Sequence, residues 1–155
     1  MQNDEVQETF WKEFADSPFI MMRLDGSSEH AEPMTAQLDE DATHAIWFFT
    51  AKGNRIAPGG KAMGQVVTKG HEVFACLSGT VTEETDPALR EKHWSRQVEA
   101  WFPEGKNDPS VLMLRFDIAD SEVWTVDMSL AGTFKLLTGQ HVTPDEMGEH
   151  ATGPV

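Results

Sequence analysis

The residues best suited to chemistry lie in one short stretch, Trp47-Phe48-Phe49-Thr50-Ala51-Lys52-Gly53-Asn54-Arg55. Thr50, Lys52, Asn54 and Arg55 gather a hydroxyl, an amide and two cations where an apolar run gives way to a glycine-containing one. A guanidinium grips phosphate oxygens two at a time, and the hydroxyl and amide add short neutral donors. Gly53 lets the backbone approach closely or take a positive φ. The set suits an anion, a phosphate above all. On residues alone the other reading is an ordinary strand end with surface Lys and Arg. The cluster stands out because the chain carries 12 Lys and Arg against 26 Asp and Glu, a net charge of −14. That field repels nucleic acid and anionic lipid, so neither nucleic acid nor membrane is expected as a partner. A small phosphate-bearing ligand stays open.

The common catalytic motifs are missing. There is no G-x-G-x-x-G, and Gly59-Gly60-Lys61 is followed by Ala62 where a phosphate loop has Ser or Thr, with Arg55 in place of its first glycine. None of the histidines, at 30, 44, 71, 93, 141 and 150, has the i, i+4 spacing with glutamate of a zinc helix, so no metal is expected. No serine sits in a G-x-S-x-G elbow. The single cysteine, Cys76, excludes an internal disulfide and reads as a small buried hydrophobe in Val73–Leu77. Apolar runs fall well short of the ~18–20 residues of a membrane span. The acidic start, Met1 to Glu5, lacks the order of a secretory signal, so a cytoplasmic protein is expected.

The elements that must position the cluster follow from periodicity. A chain of 155 residues, 39% hydrophobic, predicts one domain, taken as residues 1–140, with a loose acidic tail over 141–155. Val6, Phe10 and Phe14 recur every four residues and predict a helix over 4–15, stopped at Ser17-Pro18. Strands are predicted over 19–24, 33–38 and 45–50. The last is apolar almost throughout and is expected to be central in its sheet. Residues 51–64, with four glycines and a proline, read as a loop. Residues 73–77 and 79–83 are two strands, or one bent at Ser78-Gly79. Asp86-Pro87 opens a helix whose stripe, Leu89, Trp94, Val98 and Trp101, runs to Pro103. Trp94 and Trp101, seven apart, are expected to share a face of it. Further strands are predicted over 111–118 and 122–126, and a short helix or strand over 130–137. The pattern is mainly β with flanking helices, which favours an antiparallel barrel over an open parallel sheet.

With these residues in place the chain resembles the pyridoxamine 5′-phosphate oxidase-like family of FMN-binding split barrels, and within it the general stress protein branch. The family motif is Phe, then Phe or Tyr, Thr, three residues, Ser and Arg. Trp47 to Arg55 is similar to it, with Asn54 at the serine position. The likeness runs over roughly residues 8 to 138. It takes in Phe10-Trp11, Pro33 to Gln37, Lys69-Gly70-His71, Ser78-Gly79, Trp94, Trp101-Phe102-Pro103 and Glu122-Val123-Trp124. It implies a six-stranded antiparallel split β-barrel and a homodimer with FMN at the shared interface. The strand of Pro33, Met34, Thr35 and Gln37 would lie along the isoalloxazine ring, beside Phe49. Thr50, Asn54 and Arg55 would meet the phosphate, and Trp124 would approach the ring from the second subunit. Lys52 and Lys69 are added on charge alone, as cations that can lie near the phosphate or the ring carbonyls.

Three departures bear on affinity. Glu32 stands where the family strand often begins with Arg. Gln37 stands where the oxidase proper has Lys. Ile56 replaces a second basic residue. Each missing charge-assisted bond is worth ~1.5–3 kcal/mol, so weakened FMN binding is expected. No Arg-x-His-type segment of the kind that grips pyridoxal phosphate follows, which argues against true pyridoxamine 5′-phosphate oxidase activity. The resemblance implies a flavin-dependent oxidoreductase drawing on a reduced nicotinamide nucleotide, or a stress-related flavin protein. A non-catalytic flavin carrier, or a barrel that has lost FMN and takes another ligand, is the alternative.

Overall fold

The structure, a computed structural model, describes residues 2–126 and 150–155. Helix α1 (Gln2–Asp16) buries Val6, Phe10 and Phe14 completely, as their spacing predicts. It packs on the barrel strands, and Phe10 stacks on Phe14 at 5.4 Å. The strands are β1 (Phe19–Leu24), β2 (Glu32–Thr35), β3 (Ala45–Ala51), β4 (Gly60–Val67), β5 (Val73–Glu83), β6 (Val111–Thr125) and β7 (His150–Gly153). All pair antiparallel in the order β2-β1-β4-β5-β6-β3, with β7 on β6. An isolated bridge between Gln37 and Trp47 joins the two ends of this path and closes it into a barrel. Ile20, Met22, Ile46, Phe48, Leu77, Leu114 and Phe116 fill the interior, each almost wholly buried. No described helix is long and apolar enough to cross a membrane.

The expected barrel is present with seven described strands rather than six, and several expectations need correction. β3 is not central: it ends the strand order. It is apolar throughout because the barrel interior buries Ile46 and Phe48, while Ala45 and Trp47 pack in a second cluster with Met113. The predicted loop 51–64 gives way at Gly60 to β4, which its glycines disguised. Ala62, Gly64 and Val66 alternate inward, and Gly64 lies against Ile20 and Met22. Residues 73–83 form one strand, with a register shift at Ser78-Gly79 as the glycine suggested. Residues 111–125 are likewise one long strand, whose first half pairs β3 and second half β7.

The predicted helix from Asp86 is two short ones, α2 (Pro87–His93) and α3 (Arg96–Trp101). Asp86 caps the first, accepting from the Ala88 N–H at 2.9 Å. Ser95 caps the second through Val98 N–H at 3.2 Å, and that second cap breaks the run. Trp94 and Trp101 therefore do not share a helix face. The predicted element at 130–137 lies outside the described residues, as does most of the predicted tail. The tail's last residues, 150–155, are not loose, since β7 pairs with β6. Cys76 is half-buried rather than buried, and burial together with the Glu122 carboxylate raises its thiol pKa.

Candidate functional site: a cleft in the open barrel seam

Gln37 and Trp47 exchange two backbone hydrogen bonds, Gln37 N–H to the Trp47 carbonyl at 2.7 Å and Trp47 N–H to the Gln37 carbonyl at 3.0 Å. Among the described residues this is the one rung across the seam. Beyond it, β2 and the end of β3 stand apart. Backbone groups alternate sides along a strand. Ala36 turns its N–H to Pro18, while Lys52 turns its N–H to Ser110 beside β6. The alternation therefore directs the N–H and C=O of Thr35 and Phe49 into the open seam. Two strand edges with unspent donors and acceptors face each other there, and Pro33 cannot extend the ladder from its nitrogen.

A cleft of about 530 Å³ occupies this opening, within the range of small-molecule sites. It is lined by Glu32, Pro33, Met34, Thr35 and Gln37 on one side and by Phe49, Thr50, Ala51 and Asn54 on the other. Phe19, the α3 residues Gln97, Val98 and Trp101, and Phe102 just past the helix complete it. The walls carry amide and hydroxyl groups on a largely apolar, aromatic surface. Phe49 is braced edge-on by Trp94 at 5.1 Å, and Trp94 by Phe102 at 6.1 Å. Trp101, 79% exposed, stands at the rim.

The rung is itself clamped. The Trp47 ring lies between the His93 ring, stacked at 5.0 Å, and the Arg115 guanidinium, 5.2 Å from its centroid. Its Nε1–H donates to Glu84 at 2.9 Å. Arg115 donates in turn to Asp117 at 2.8 Å. His93 is buried with no partner for Nε2, and burial holds its pKa below the ordinary value, outweighing the Asp39 carboxylate nearby.

The expected anion end has a built-in occupant. Arg55 Nε lies 2.9 Å from a Glu32 carboxylate oxygen, and Arg55 Nη1 donates to the His30 carbonyl at 2.9 Å. Asn54 Nδ2 donates to the other Glu32 oxygen at 3.0 Å, while Asn54 Oδ1 accepts from Ile56 N–H at 2.9 Å. The two residues expected to meet a phosphate are thus drawn together, but around a carboxylate of the same chain.

Of the predicted site residues, Pro33, Met34, Thr35, Gln37, Phe49, Thr50 and Asn54 line the cleft, and Arg55 joins them through Glu32. Lys52 and Lys69 are exposed outside it. Trp124 also lies outside the cleft of its own chain. It pairs with Phe74, which pairs with Val67, and the β1–β4 register continues that row to Phe19 and Thr35. Four strand spacings put Trp124 roughly 19 Å along the sheet from Thr35. Sequence reasoning missed Trp101, Phe102 and Gln97 as lining, because it placed them on one continuous helix. The Ser95 cap, with Glu99 in the first turn after it, was the signal for a separate α3.

Residues 4–146 match the family profile described as pyridoxamine 5′-phosphate oxidase like. A structure assigned as general stress protein 26 of Jannaschia sp. is 32% identical, with a TM-score of 0.80, and covers 99% of both chains. The general stress FMN/FAD binding protein of Xanthomonas citri is 40% identical with a TM-score of 0.75, over 82% of this chain and 93% of that one. A general stress family protein of Xanthomonas campestris is 39% identical with a TM-score of 0.74, over 82% and 91%. No curated protein matches the chain. A seam-split antiparallel barrel, a profile match along most of its length and relatives of like fold agree: the chain belongs to the pyridoxamine 5′-phosphate oxidase-like split-barrel family.

Proposed function

We propose that this is a flavin-binding protein whose open seam holds the isoalloxazine ring. The single observation that carries the reading is the seam itself. Thr35 and Phe49 turn backbone donors and acceptors into a cleft with aromatic walls, which suits a flat ring with a polar edge. Gln37, Thr50 and Gln97 add side-chain donors, and Asn54 and Arg55 stand at the end where an FMN phosphate arrives. The likeness to the general stress FMN/FAD binding protein of Xanthomonas citri supports the same ligand class. A flavin held by Pro33 to Thr35, Phe49 and Trp101 would supply two-electron redox chemistry between a reduced nicotinamide nucleotide and a small acceptor. The chain's own part is to bind and orient the ring, with Pro33 to Thr35 along one side and Phe49 and Trp101 along the other.

The working unit is a homodimer in the cytoplasm. The outer sheet face beside the cleft exposes Phe19, Val67 and Trp124, at 58%, 53% and 41%, with Met21 and Met63 next to them. Large apolar side chains left exposed on one face mark an interface. Its continuity with the cleft through Phe19 favours a second copy as occupant, because a partner's Trp124 then reaches a ring that its own chain's Trp124 cannot. The non-catalytic carrier is the second reading, favoured by Glu32 neutralising the expected phosphate cation.

Flavin uptake tests the proposal. Purified protein is expected to carry flavin, or to take up FMN or riboflavin at tens of micromolar. Uptake of neither refutes it. Steady oxidation of reduced nicotinamide well above that of free FMN favours the oxidoreductase, and a rate no greater favours the carrier.

A further inference from the structure

We infer that Glu32 is a specificity-determining residue that biases the cleft against a phosphate-terminated flavin and toward one ending in a hydroxyl. This rests on the flavin reading above. The two Glu32 oxygens are divided between Arg55 and Asn54, at 2.9 and 3.0 Å, so both groups best placed for a phosphate already hold a carboxylate. Arg55 is further tied to the His30 carbonyl, which fixes the guanidinium beside the carboxylate. An incoming phosphate must then either displace Glu32, stranding a half-buried carboxylate beside a dianion, or share one cation with it. Two anions on one cation repel each other, and partial burial leaves that repulsion less screened than in bulk water. A ribityl hydroxyl meets no such conflict, because it donates to the Glu32 carboxylate. Glu32 also lines the cleft, so an occupant reaches it. It begins β2, whose register with Met22 holds its backbone in place.

The test compares FMN and riboflavin affinities by flavin-fluorescence titration in the full chain, in E32Q and in E32D. E32Q keeps the side-chain size and an oxygen for Asn54 while removing the charge; E32D keeps the charge. E32Q is expected to tighten FMN by about tenfold or more and to move riboflavin by less than about threefold, while E32D retains the wild-type preference. The FMN gain in E32Q should shrink as salt rises. If E32Q fails to fold by circular dichroism, E32A carries the same expectation. Both flavins binding every variant with their ratio unmoved overturns the role of Glu32 and leaves the flavin site standing. Neither flavin binding wild type or E32Q overturns the flavin reading itself, and this inference with it.

Discussion

Replacing Arg55 with Ala separates binding from stability at the anion end. The Arg55 side chain is 39% exposed and its Glu32 partner 29%, so their ion pair is of the partly exposed kind worth about 0–1 kcal/mol to the fold. Little loss of stability is therefore expected. A phosphate deprived of a charge-assisted bond loses about 1.5–3 kcal/mol, roughly a tenfold to hundredfold rise in FMN Kd. Because Glu32 already shares the guanidinium, the loss in the otherwise wild-type chain should fall near the lower figure. With Glu32→Gln in the background, where Arg55 is released to the phosphate, it should approach the upper one. Riboflavin should barely notice Arg55→Ala, because its hydroxyl end still meets Glu32. Isothermal titration with both flavins, beside a thermal melt, reads all three quantities. Equal losses for FMN and riboflavin would remove Arg55 from the phosphate end, and a collapse of the melt would show that the pair is structural.

Trp101→Ala should weaken FMN and riboflavin alike by about 1–3 kcal/mol, since the rim ring meets the isoalloxazine and not the phosphate, while unfolding stays within about 0.5 kcal/mol of wild type. Gly79→Ala should destabilise by about 3 kcal/mol or more in denaturant titration, because its Cβ would overlap the Asp117 carbonyl, with the Phe116 ring only 3.0 Å away; relief would require moving backbone at the bulge. His93 is buried with a lowered pKa, so the unfolded chain binds the proton more readily. Stability should be full above the ordinary value of 6.5 and fall as pH drops below it, and His93→Gln should flatten that limb. The lowered carboxylates Asp39 and Asp108 act only below their ordinary 3.8, a separate window. Val67→Glu should shift sedimentation toward the monomer and lower flavin affinity together; an unchanged assembly would remove this face from the interface.

Local signals made the barrel legible. Val6, Phe10 and Phe14 wrote α1, and Asp86-Pro87 wrote the start of α2, because spacing and capping act within a few residues. β4 was hidden because glycine at 60 and 64 reads as loop, whereas Gly64 serves the close approach of Ile20 and Met22 from another strand. The place of β3 at the end of the strand order was equally hidden: burial on both faces looks the same from sequence whether strands or a second packed cluster provide it. At the site, the donor types of Asn54 and Arg55 pointed to an anion, and the two residues do meet at a carboxylate, whereas Lys52 stands outside the cleft. That Glu32, more than twenty residues earlier, fills the seat depends on the closure of the barrel, which brings the start of β2 against the turn after β3. Trp101 and Phe102 required knowing that Ser95 starts a new helix.

We place the flavin in the seam between β2 and β3. A crystal structure of the protein grown with riboflavin or FMN tests this placement most directly. A planar ring is expected in the opening beside Thr35 and Phe49, hydrogen-bonded to their backbone, with the ribityl end at Asn54 and Glu32. A flavin bound elsewhere with this cleft vacant, or the edges of Thr35 and Phe49 closed onto each other, would contradict it.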